Sequence, residues 1–272
     1  MLETIYQCPF CGGSLAESEK LLKCPQNHSF DKARSGYVNL LSVKQKHAKL
    51  PGDNPDMIRA RRDFLNRNYY QHLQKALCEA VKQYFPPEGI LLDAGCGEGY
   101  YTKAIWDAVE AHSCYGVDIS KTAADFAARA DKITRYAVGS VFHLPVADSS
   151  CDMLISVFAP YCGSEFLRVL KSKAYLIMVI PSALHLWELK QAVYDKPYQN
   201  QVKDYPLDGF IFKEKIPCER CIILDNAQDI QNLFQMTPYA YRTGSAERER
   251  LQQLQKLEVQ TAFEILIYQK EA

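Results

Sequence analysis

Four residues near the amino end have the types and the spacing of a zinc site. Two residues separate Cys8 from Cys11, and three residues separate Cys24 from His28. Thiolate and imidazole are ligands that Zn²⁺ prefers, and four of them close a tetrahedral shell with no position left for water. The motif therefore predicts a structural zinc. A stretch this short cannot bury a core, so metal binding would itself supply folding free energy of about 10 kcal/mol or more.

A redox-active pair is the alternative interpretation of Cys8 and Cys11. It is disfavoured because no thioredoxin-like alternation of strand and helix surrounds the two thiols. The chain has ten cysteines, and most of the others stand alone in apolar runs, where a thiol packs as a small hydrophobic group. Cys218 and Cys221 also lie two residues apart, but no second pair accompanies them. Their apolar surroundings predict packing, not metal binding.

A second chemical motif is the glycine loop LLDAGCGEG. A predicted strand ends at Asp93, and Gly95, Gly97 and Gly99 follow at alternate positions. Glycines at such a point let the chain turn sharply into a helix and let a ligand contact bare backbone. The next predicted strand ends at Asp118, where a carboxylate suits the two hydroxyls of a ribose. The loop therefore predicts a cofactor that carries a ribose.

The elements that must position this loop alternate in type from residue 89 onwards. Short apolar strands are followed by helical segments, a pattern that predicts βαβ units and a largely parallel sheet with helices on both faces. Near the carboxyl end, IPCERCIILD and LEVQTAFEILIYQK indicate two further strands. We therefore expect an α/β protein with a seven-stranded, mostly parallel sheet. A small zinc ribbon or knuckle would precede it.

Three segments are predicted along the chain of 272 residues. Residues 1–35 form a zinc-binding module for RNA recognition, residues 36–88 a basic linker with a helical part, and residues 89–272 the catalytic α/β domain. In the linker, Asn54 and Pro55 have the types found where a helix begins. The net charge of the whole chain is zero, but residues 30–75 contain ten basic and four acidic residues, a local charge of +6. A phosphate backbone would favour such a segment, although a solvated charged face is an equally good interpretation.

No run of the sequence is long and apolar enough to cross a membrane. The first ten residues, MLETIYQCPF, lack the basic and apolar regions of a signal peptide. We therefore expect a cytoplasmic protein with no membrane partner.

The glycine loop together with Asp93 and Asp118 resembles motifs of the class I S-adenosylmethionine-dependent methyltransferases. The resemblance covers residues 89–272 and implies a Rossmann-like class I methyltransferase fold. It also implies that the loop approaches the methionine part of the cofactor and that Asp118 holds the ribose. The acid usually found after the third strand is absent from AVGSVFHLP, so Ser140 or a backbone group is expected to meet the adenine.

Nearly the whole chain resembles the 23S ribosomal RNA guanine-N1-methyltransferases. The motifs that carry this resemblance are the zinc knuckle, FDKARSGYVNLL, PGD, ARRDFL, GCGEGYYT, HLWELK and QMTPYAYR. The resemblance implies methylation of a guanine in a hairpin of 23S rRNA, possession of a structural Zn²⁺, and homodimerisation. Some members of that family influence sensitivity to macrolide-type antibiotics.

The same resemblance implies cofactor contacts from residues whose types alone would not suggest them. Tyr70 would otherwise pass as helix packing, and His185 as a helix-surface residue. The full expected set is Zn²⁺ on Cys8, Cys11, Cys24 and His28, and S-adenosylmethionine on Tyr70, Asp93, Gly95, Gly97, Glu98, Gly99, Asp118 and His185.

The acceptor side of the site is predicted to lie in SVFAPYC, the segment that follows the fourth strand. It lacks the Asn/Asp-Pro-Pro-aromatic pattern of enzymes that methylate exocyclic amino groups, and it offers no obvious general base. Cys162 is a weak candidate for a covalent nucleophile, and a packed thiol is the better interpretation. Phe30 and Tyr37 are candidates for stacking on unpaired bases, with burial as the alternative. Two other functions stay open, namely a small-molecule methyltransferase and a zinc-bearing binding protein without catalysis.

Overall fold

The amino-terminal residues form a small antiparallel sheet in the computed structural model, which describes residues 2–42, 52–109, 111–202, 206–241 and 243–272. Its four strands pair in chain order. They are β1 (Leu2–Gln7), β2 (Ser14–Glu17), β3 (Leu21–Lys23) and β4 (Ser29–Asp31). The two turns that join β1 to β2 and β3 to β4 carry the four predicted zinc ligands.

The second sheet has eight strands and supports the rest of the molecule. They are β5 (Val38–Asn39), β6 (Ile90–Ala94), β7 (Ser113–Asp118), β8 (Arg135–Val138), β9 (Cys151–Val157), β10 (Leu170–Pro181), β11 (Phe210–Leu224) and β12 (Leu257–Lys270). Their spatial order is β11-β12-β10-β9-β6-β7-β8-β5, and only β12 runs antiparallel to its neighbours β10 and β11. The predicted α/β fold with a mostly parallel sheet is confirmed. The expected count of seven strands was one too low, because β5 has only two residues and shows no periodicity.

Helices cover both faces of this sheet. They are α1 (Pro55–Asn66), α2 (Gln71–Tyr84), α3 (Tyr100–Ala108), α4 (Lys121–Ala130), α5 (Gly163–Val169), α6 (Trp187–Val193), α7 (Ala227–Gln235) and α8 (Ser245–Gln253), with a 3-10 helix at Pro238–Tyr241. The helix predicted after Asn54 is α1, and the Asn54 side chain accepts a hydrogen bond from the Met57 N–H at 2.9 Å. None of the helices in the described ranges is long and apolar enough to cross a membrane.

The zinc ribbon, which we define as residues 2–42, shares its hydrophobic core with one face of the large sheet. Tyr6 and Leu22 of the ribbon belong to the same buried cluster as Leu92 of β6 and Val117 of β7. Backbone hydrogen bonds reinforce this contact, since the Ala147 N–H donates to the Ile5 carbonyl at 2.8 Å. The β5 strand then extends the large sheet next to β8. The ribbon is therefore built into the α/β core along one edge of its sheet.

The basic segment between Phe30 and Lys75 is less positive in three dimensions than its sequence suggests. On α1 and the turn before it, arginines pair with nearby acids, Arg59 with Asp56 and Arg62 with Asp63. The run from Lys44 to Lys49 lies outside the described residues. The net charge counted along the sequence therefore overstates the positive electrostatic potential at the surface of α1.

Candidate metal centre and cofactor crevice

The four predicted zinc ligands converge on one point. Their ligand atoms all lie within 4.8 Å of one another. Nδ1 of His28 is 3.5 Å from Sγ of Cys8 and 3.4 Å from Sγ of Cys24, and Sγ of Cys11 is 3.7 Å from Sγ of Cys24. Zinc–sulfur bonds of about 2.3 Å and zinc–nitrogen bonds of about 2.0 Å give a tetrahedron with edges of roughly 3.5–3.8 Å. These three distances between donor atoms therefore match the edges of a tetrahedral zinc site to within about 0.1 Å.

Two tight turns bring these ligands together. In the first, the Gly12 N–H donates to the Cys8 carbonyl at 2.8 Å, and Gly12 has φ +71°, a left-handed conformation that glycine adopts at little cost. In the second, the Cys24 N–H donates to the His28 carbonyl at 3.0 Å. Burial opposes ionisation of the Cys24 thiol, but hydrogen bonds from the His28 backbone and from Cys11 lower its pKa to about 7. These hydrogen bonds therefore favour the thiolate form of Cys24, the form that binds metal, whereas burial raises the pKa of Cys8.

Among the described residues, this is the one group of three or more Cys, His, Asp or Glu side chains close enough to hold an ion. Cys218 and Cys221 are not part of it. Cys218 is buried, as predicted, but Cys221 is exposed on the edge strand β11, with its sulfur 3.2 Å from Oε1 of Glu258. The packing prediction was wrong for Cys221, because alternate residues of an edge strand face solvent.

The glycine loop follows β6, and all three of its glycines have positive φ angles. A Cβ on Gly95 would overlap with the Ala159 side chain, and a Cβ on Gly99 would lie 2.9 Å from the Tyr136 hydroxyl. At Gly97, a Cβ would lie 3.3 Å from Nη2 of Arg61. The glycines therefore lie close against the segment after β9, against Arg61 of α1, and against β8 and α4.

Asp118 is positioned by the loop that it faces. Its Oδ2 accepts a hydrogen bond from the Gly97 N–H at 2.9 Å, and its Oδ1 accepts one from the Ser120 N–H at 2.8 Å. Burial raises the pKa of Asp118. A carboxylate with each oxygen fixed by one N–H still has lone pairs for two hydroxyl donors, so its geometry suits a ribose.

Asp93 lies deeper, with 1% of its surface exposed. Its Oδ2 accepts a hydrogen bond from the Thr102 hydroxyl at 2.6 Å, whereas its Oδ1 is buried without a partner in the described ranges. Burial raises the pKa of Asp93 to about 7, although the Thr102 bond opposes the shift. Buried acceptors are usually hydrogen-bonded, so a bound molecule is a suitable source of the donor that Oδ1 of Asp93 lacks.

Glu98 and Arg61, which the sequence offered only as part of the basic segment that would hold RNA phosphates, form an ion pair beside the loop. Arg61 of α1 donates from Nε to Oε2 of Glu98 at 2.8 Å and from Nη1 to Oδ2 of Asp53 at 2.6 Å. Glu98 is therefore satisfied by the protein. Arg61 could have been suspected only from ARRDFL, because nothing in its spacing connects it to a loop 36 residues further along the chain.

Tyr70 and His185 come together in an aromatic cluster. Both rings pack against Phe263, at centroid distances of 5.0 and 4.5 Å, and the Tyr70 hydroxyl is buried without a partner among the described residues. The Ala262 N–H donates to Nδ1 of His185 at 3.2 Å. Burial lowers the pKa of His185 to about 3, and the nearby Lys190 ammonium adds to the effect. The imidazole is therefore neutral, with its proton on Nε2.

The other residues proposed from the sequence, for adenine binding, nucleophilic catalysis and base stacking, mostly contact nearby parts of the protein. Ser140 is buried and its hydroxyl accepts a bond from the Phe142 N–H at 3.2 Å. Cys162 is partly exposed. Phe30 and Tyr37 are partly buried, but Phe10, which the sequence reasoning missed, is 64% exposed and stacks on Phe30 at 5.7 Å. An exposed ring beside a metal knuckle has no sequence signal other than its place between two cysteines.

The doubly covered parallel sheet, the antiparallel β12 and the glycine crevice at the carboxyl end of β6 define a class I S-adenosylmethionine-dependent methyltransferase. Family models agree with this assignment: a zinc ribbon described as "RlmA, N-terminal" matches residues 6–49, and a "Methyltransferase domain" matches residues 92–178. The YcgJ protein of Bacillus subtilis has the same fold, with a TM-score of 0.51 and 17% identity over 74% of this chain and 99% of that one.

Two curated relatives narrow the class to a family. The 23S rRNA (guanine(748)-N(1))-methyltransferase of Streptomyces fradiae is 34% identical over 69% of this chain and 67% of its own. A Micromonospora griseorubida protein named for 23S rRNA guanine-N1 methylation is 38% identical over 67% of this chain and 68% of its own. The chain belongs to the 23S rRNA (guanine-N1-)-methyltransferase family. Its cofactor is S-adenosylmethionine, and its metal site is a zinc ribbon.

Proposed function

We propose that this protein transfers a methyl group from S-adenosylmethionine to N1 of a guanine in a hairpin of 23S rRNA. The observation that carries the proposal is the joining of a four-ligand zinc ribbon to a methyltransferase crevice through one hydrophobic core. Both curated relatives described above are named for the same reaction. A ribosomal RNA substrate would require a cytoplasmic enzyme.

Bound S-adenosylmethionine supplies an electrophilic methyl group on a sulfonium. We assign Asp118 to the ribose hydroxyls and the bare backbone at Gly95, Gly97 and Gly99 to close approach by the methionine part. The unpartnered Oδ1 of Asp93 is suited to an ammonium group. At the glycine loop, Glu98 contributes through its backbone, because Arg61 holds its carboxylate.

Tyr70 and His185 complete the proposed cofactor site as hydrogen-bond donors. The Tyr70 hydroxyl is buried and free to donate, and neutral His185 carries its proton on Nε2 because Nδ1 accepts from Ala262. Both groups suit the carboxylate of a methionine moiety. The same geometry argues against His185 as the base that removes the guanine N1 proton, since its remaining nitrogen already carries a proton.

The ribbon would contact the RNA outside the crevice. Phe10 is the exposed ring of the ribbon, and with Phe30 it offers a flat surface on which an unpaired base could stack. We also propose a homodimer, as the family resemblance implies. Light scattering coupled to size-exclusion chromatography tests that point, and a monomer at micromolar concentration would contradict it.

Mass spectrometry of ribosomal RNA nucleosides tests the reaction. Cells that lack the gene should lose one 1-methylguanosine from 23S rRNA, and the purified protein with S-adenosylmethionine should restore it. A variant with Cys8→Ser and Cys11→Ser should fail to restore it, since it cannot hold the metal. Unchanged 1-methylguanosine in the deletion strain would refute the assignment. Labelled methyl groups entering metabolites instead of RNA would indicate a small-molecule acceptor.

A further inference from the structure

Phe158 has a backbone conformation that a bulky residue rarely adopts. It follows β9 directly, and its φ is +54°, in the left-handed region. A phenylalanine there is an outlier, because its Cβ crowds the neighbouring carbonyl oxygens. Such strain persists only where surrounding contacts fix it, and it is concentrated at functional sites.

The contacts that fix Phe158 come from both sides of the crevice. Its N–H donates to the Val179 carbonyl of β10 at 3.1 Å, which continues the pairing of β9 with β10. The next residue, Ala159, presses its Cβ against Gly95 of the glycine loop. These contacts hold the backbone at Phe158 in its left-handed conformation.

The Phe158 ring is partly exposed to solvent, and it packs against two other aromatic side chains. It is 45% exposed, whereas the residue before it, Val157, is buried. Its centroid lies 5.4 Å from that of Phe263 and 6.5 Å from that of Tyr101. Phe263 in turn contacts Tyr70 and His185, so Phe158 is the exposed end of the cluster that contains two proposed cofactor residues.

We propose that Phe158 is the stacking platform for the guanine that receives the methyl group. This inference rests on the proposed function. A base that leaves its helix loses its stacking neighbours, and enzymes that act on bases replace them with aromatic side chains. The exposed face of Phe158 offers such a neighbour beside Gly95. A ring in this place fixes the plane of the base but cannot accept its N1 proton, in keeping with a segment that has no acid or histidine from Ser156 to Cys162.

Substitutions at Phe158 separate a substrate contact from a structural role. The protein is assayed as the zinc-loaded full chain on 23S rRNA extracted from cells that lack the gene, with 1-methylguanosine measured by mass spectrometry. Phe158→Ala should lower kcat/KM by about 10- to 100-fold, the range expected for the loss of one base-stacking contact. Phe158→Tyr keeps the ring and should stay within about threefold of the original protein. The dissociation constant for S-adenosylmethionine, from calorimetry, should change by less than about threefold in each.

Phe158→Gly gives the sharpest readout. Glycine accepts a positive φ without strain, so this variant should melt no lower than Phe158→Ala while losing as much activity. Phe212→Ala is the matched control, because Phe212 is 52% exposed on the edge strand β11, away from the crevice. It should methylate normally.

Two results would overturn the inference while the proposed function stands. One is normal methylation of 23S rRNA by Phe158→Ala. The other is a fall in activity that parallels lower cofactor affinity or a lower melting temperature in both the alanine and the glycine variant. Failure of the unsubstituted protein to methylate guanine N1 would instead refute the proposed function itself.

Discussion

The stability of the cofactor-free Asp93→Asn protein, measured relative to wild type, should increase with pH. Burial raises the pKa of Asp93 to about 7, from an ordinary value of 3.8. Between these two pH values, the folded protein holds a proton that the unfolded chain has released. Stability therefore falls as pH rises from about 4 to about 7, and above that range the whole cost of a buried carboxylate is present.

The magnitude follows from the two pKa values. Each pH unit over which the folded and unfolded states differ by a proton changes the unfolding free energy by about 1.4 kcal/mol. Over the part of the window between pH 5 and pH 8, the wild-type protein should lose about 2.5 kcal/mol through this one group. Asparagine does not titrate, and its carbonyl oxygen can still accept the hydrogen bond from Thr102. The advantage of Asp93→Asn over wild type should thus be larger at pH 8 than at pH 5 by about 2.5 kcal/mol.

Urea denaturation at pH 5, 6, 7 and 8, with zinc present and cofactor absent, measures this difference. Asp125→Asn is the control, because burial of the Asp125 carboxylate is outweighed by its hydrogen bond from Arg129, which lowers its pKa below the ordinary value. The stability difference of that variant should not change over the same range. The Asp93→Asn protein should also bind S-adenosylmethionine about tenfold or more weakly, as expected when a charged hydrogen bond is lost. A stability difference that is the same at pH 5 and pH 8 would refute the reasoning, since Asp93 would then ionise as it does in water.

Three further perturbations have expected outcomes. Arg61→Gln should weaken S-adenosylmethionine binding by about 5- to 50-fold in calorimetry, because it leaves the Glu98 carboxylate unpaired beside the glycine loop. Arg62→Gln, on the solvent side of α1, is the control. Equal losses of affinity in the two variants would show that the Arg61–Glu98 pair does not support the cofactor site. Gly99→Ala should cost about 1–3 kcal/mol in urea denaturation, since a positive φ and close neighbours both oppose a Cβ. Gly12→Ala should cost less, since its φ is similarly positive but its Cβ would meet open space. Removal of zinc with a chelator should lower the melting temperature of the whole chain in a single transition by circular dichroism, and a separate ribbon transition would show that the shared core does not couple the two parts.

Local patterns in the sequence were sufficient for the strands and helices of the α/β domain that were predicted and for the four residues of the zinc motif. The strand that ends at Asp93, the helix capped by Asn54 and the four zinc ligands each depend on residues close together in the chain. Their physical causes, namely side-chain periodicity, capping and metal-ligand spacing, act over a few residues. Such causes can be identified from the order of the amino acids alone.

The features that escaped prediction depend on contacts between distant residues. The pairing of Arg61 with Glu98 joins α1 to the glycine loop, and only the packing of α1 against α4 and α7 brings them together. The two-residue strand β5 has no periodicity to detect, and its pairing with β8 depends on the course of the ribbon before it. The strain at Phe158 is likewise imposed from outside, by Val179 and Gly95.

Contacts between distant residues also suggest a structural role for the zinc ribbon at the amino end of this methyltransferase. Tyr6, two residues before the first zinc ligand, is buried, and its hydroxyl donates to the Arg135 carbonyl at 2.7 Å and lies 3.3 Å from the Gly116 carbonyl. Gly116 belongs to β7, the strand that ends in Asp118. The ribbon also supplies β5, which pairs with β8 and forms this edge of the large sheet. A zinc ion would fix the two ligand-bearing turns of the ribbon and so hold these contacts in place. We therefore expect bound zinc to stabilise β7, the strand that ends at the proposed ribose ligand Asp118, in addition to any part the ribbon has in holding RNA.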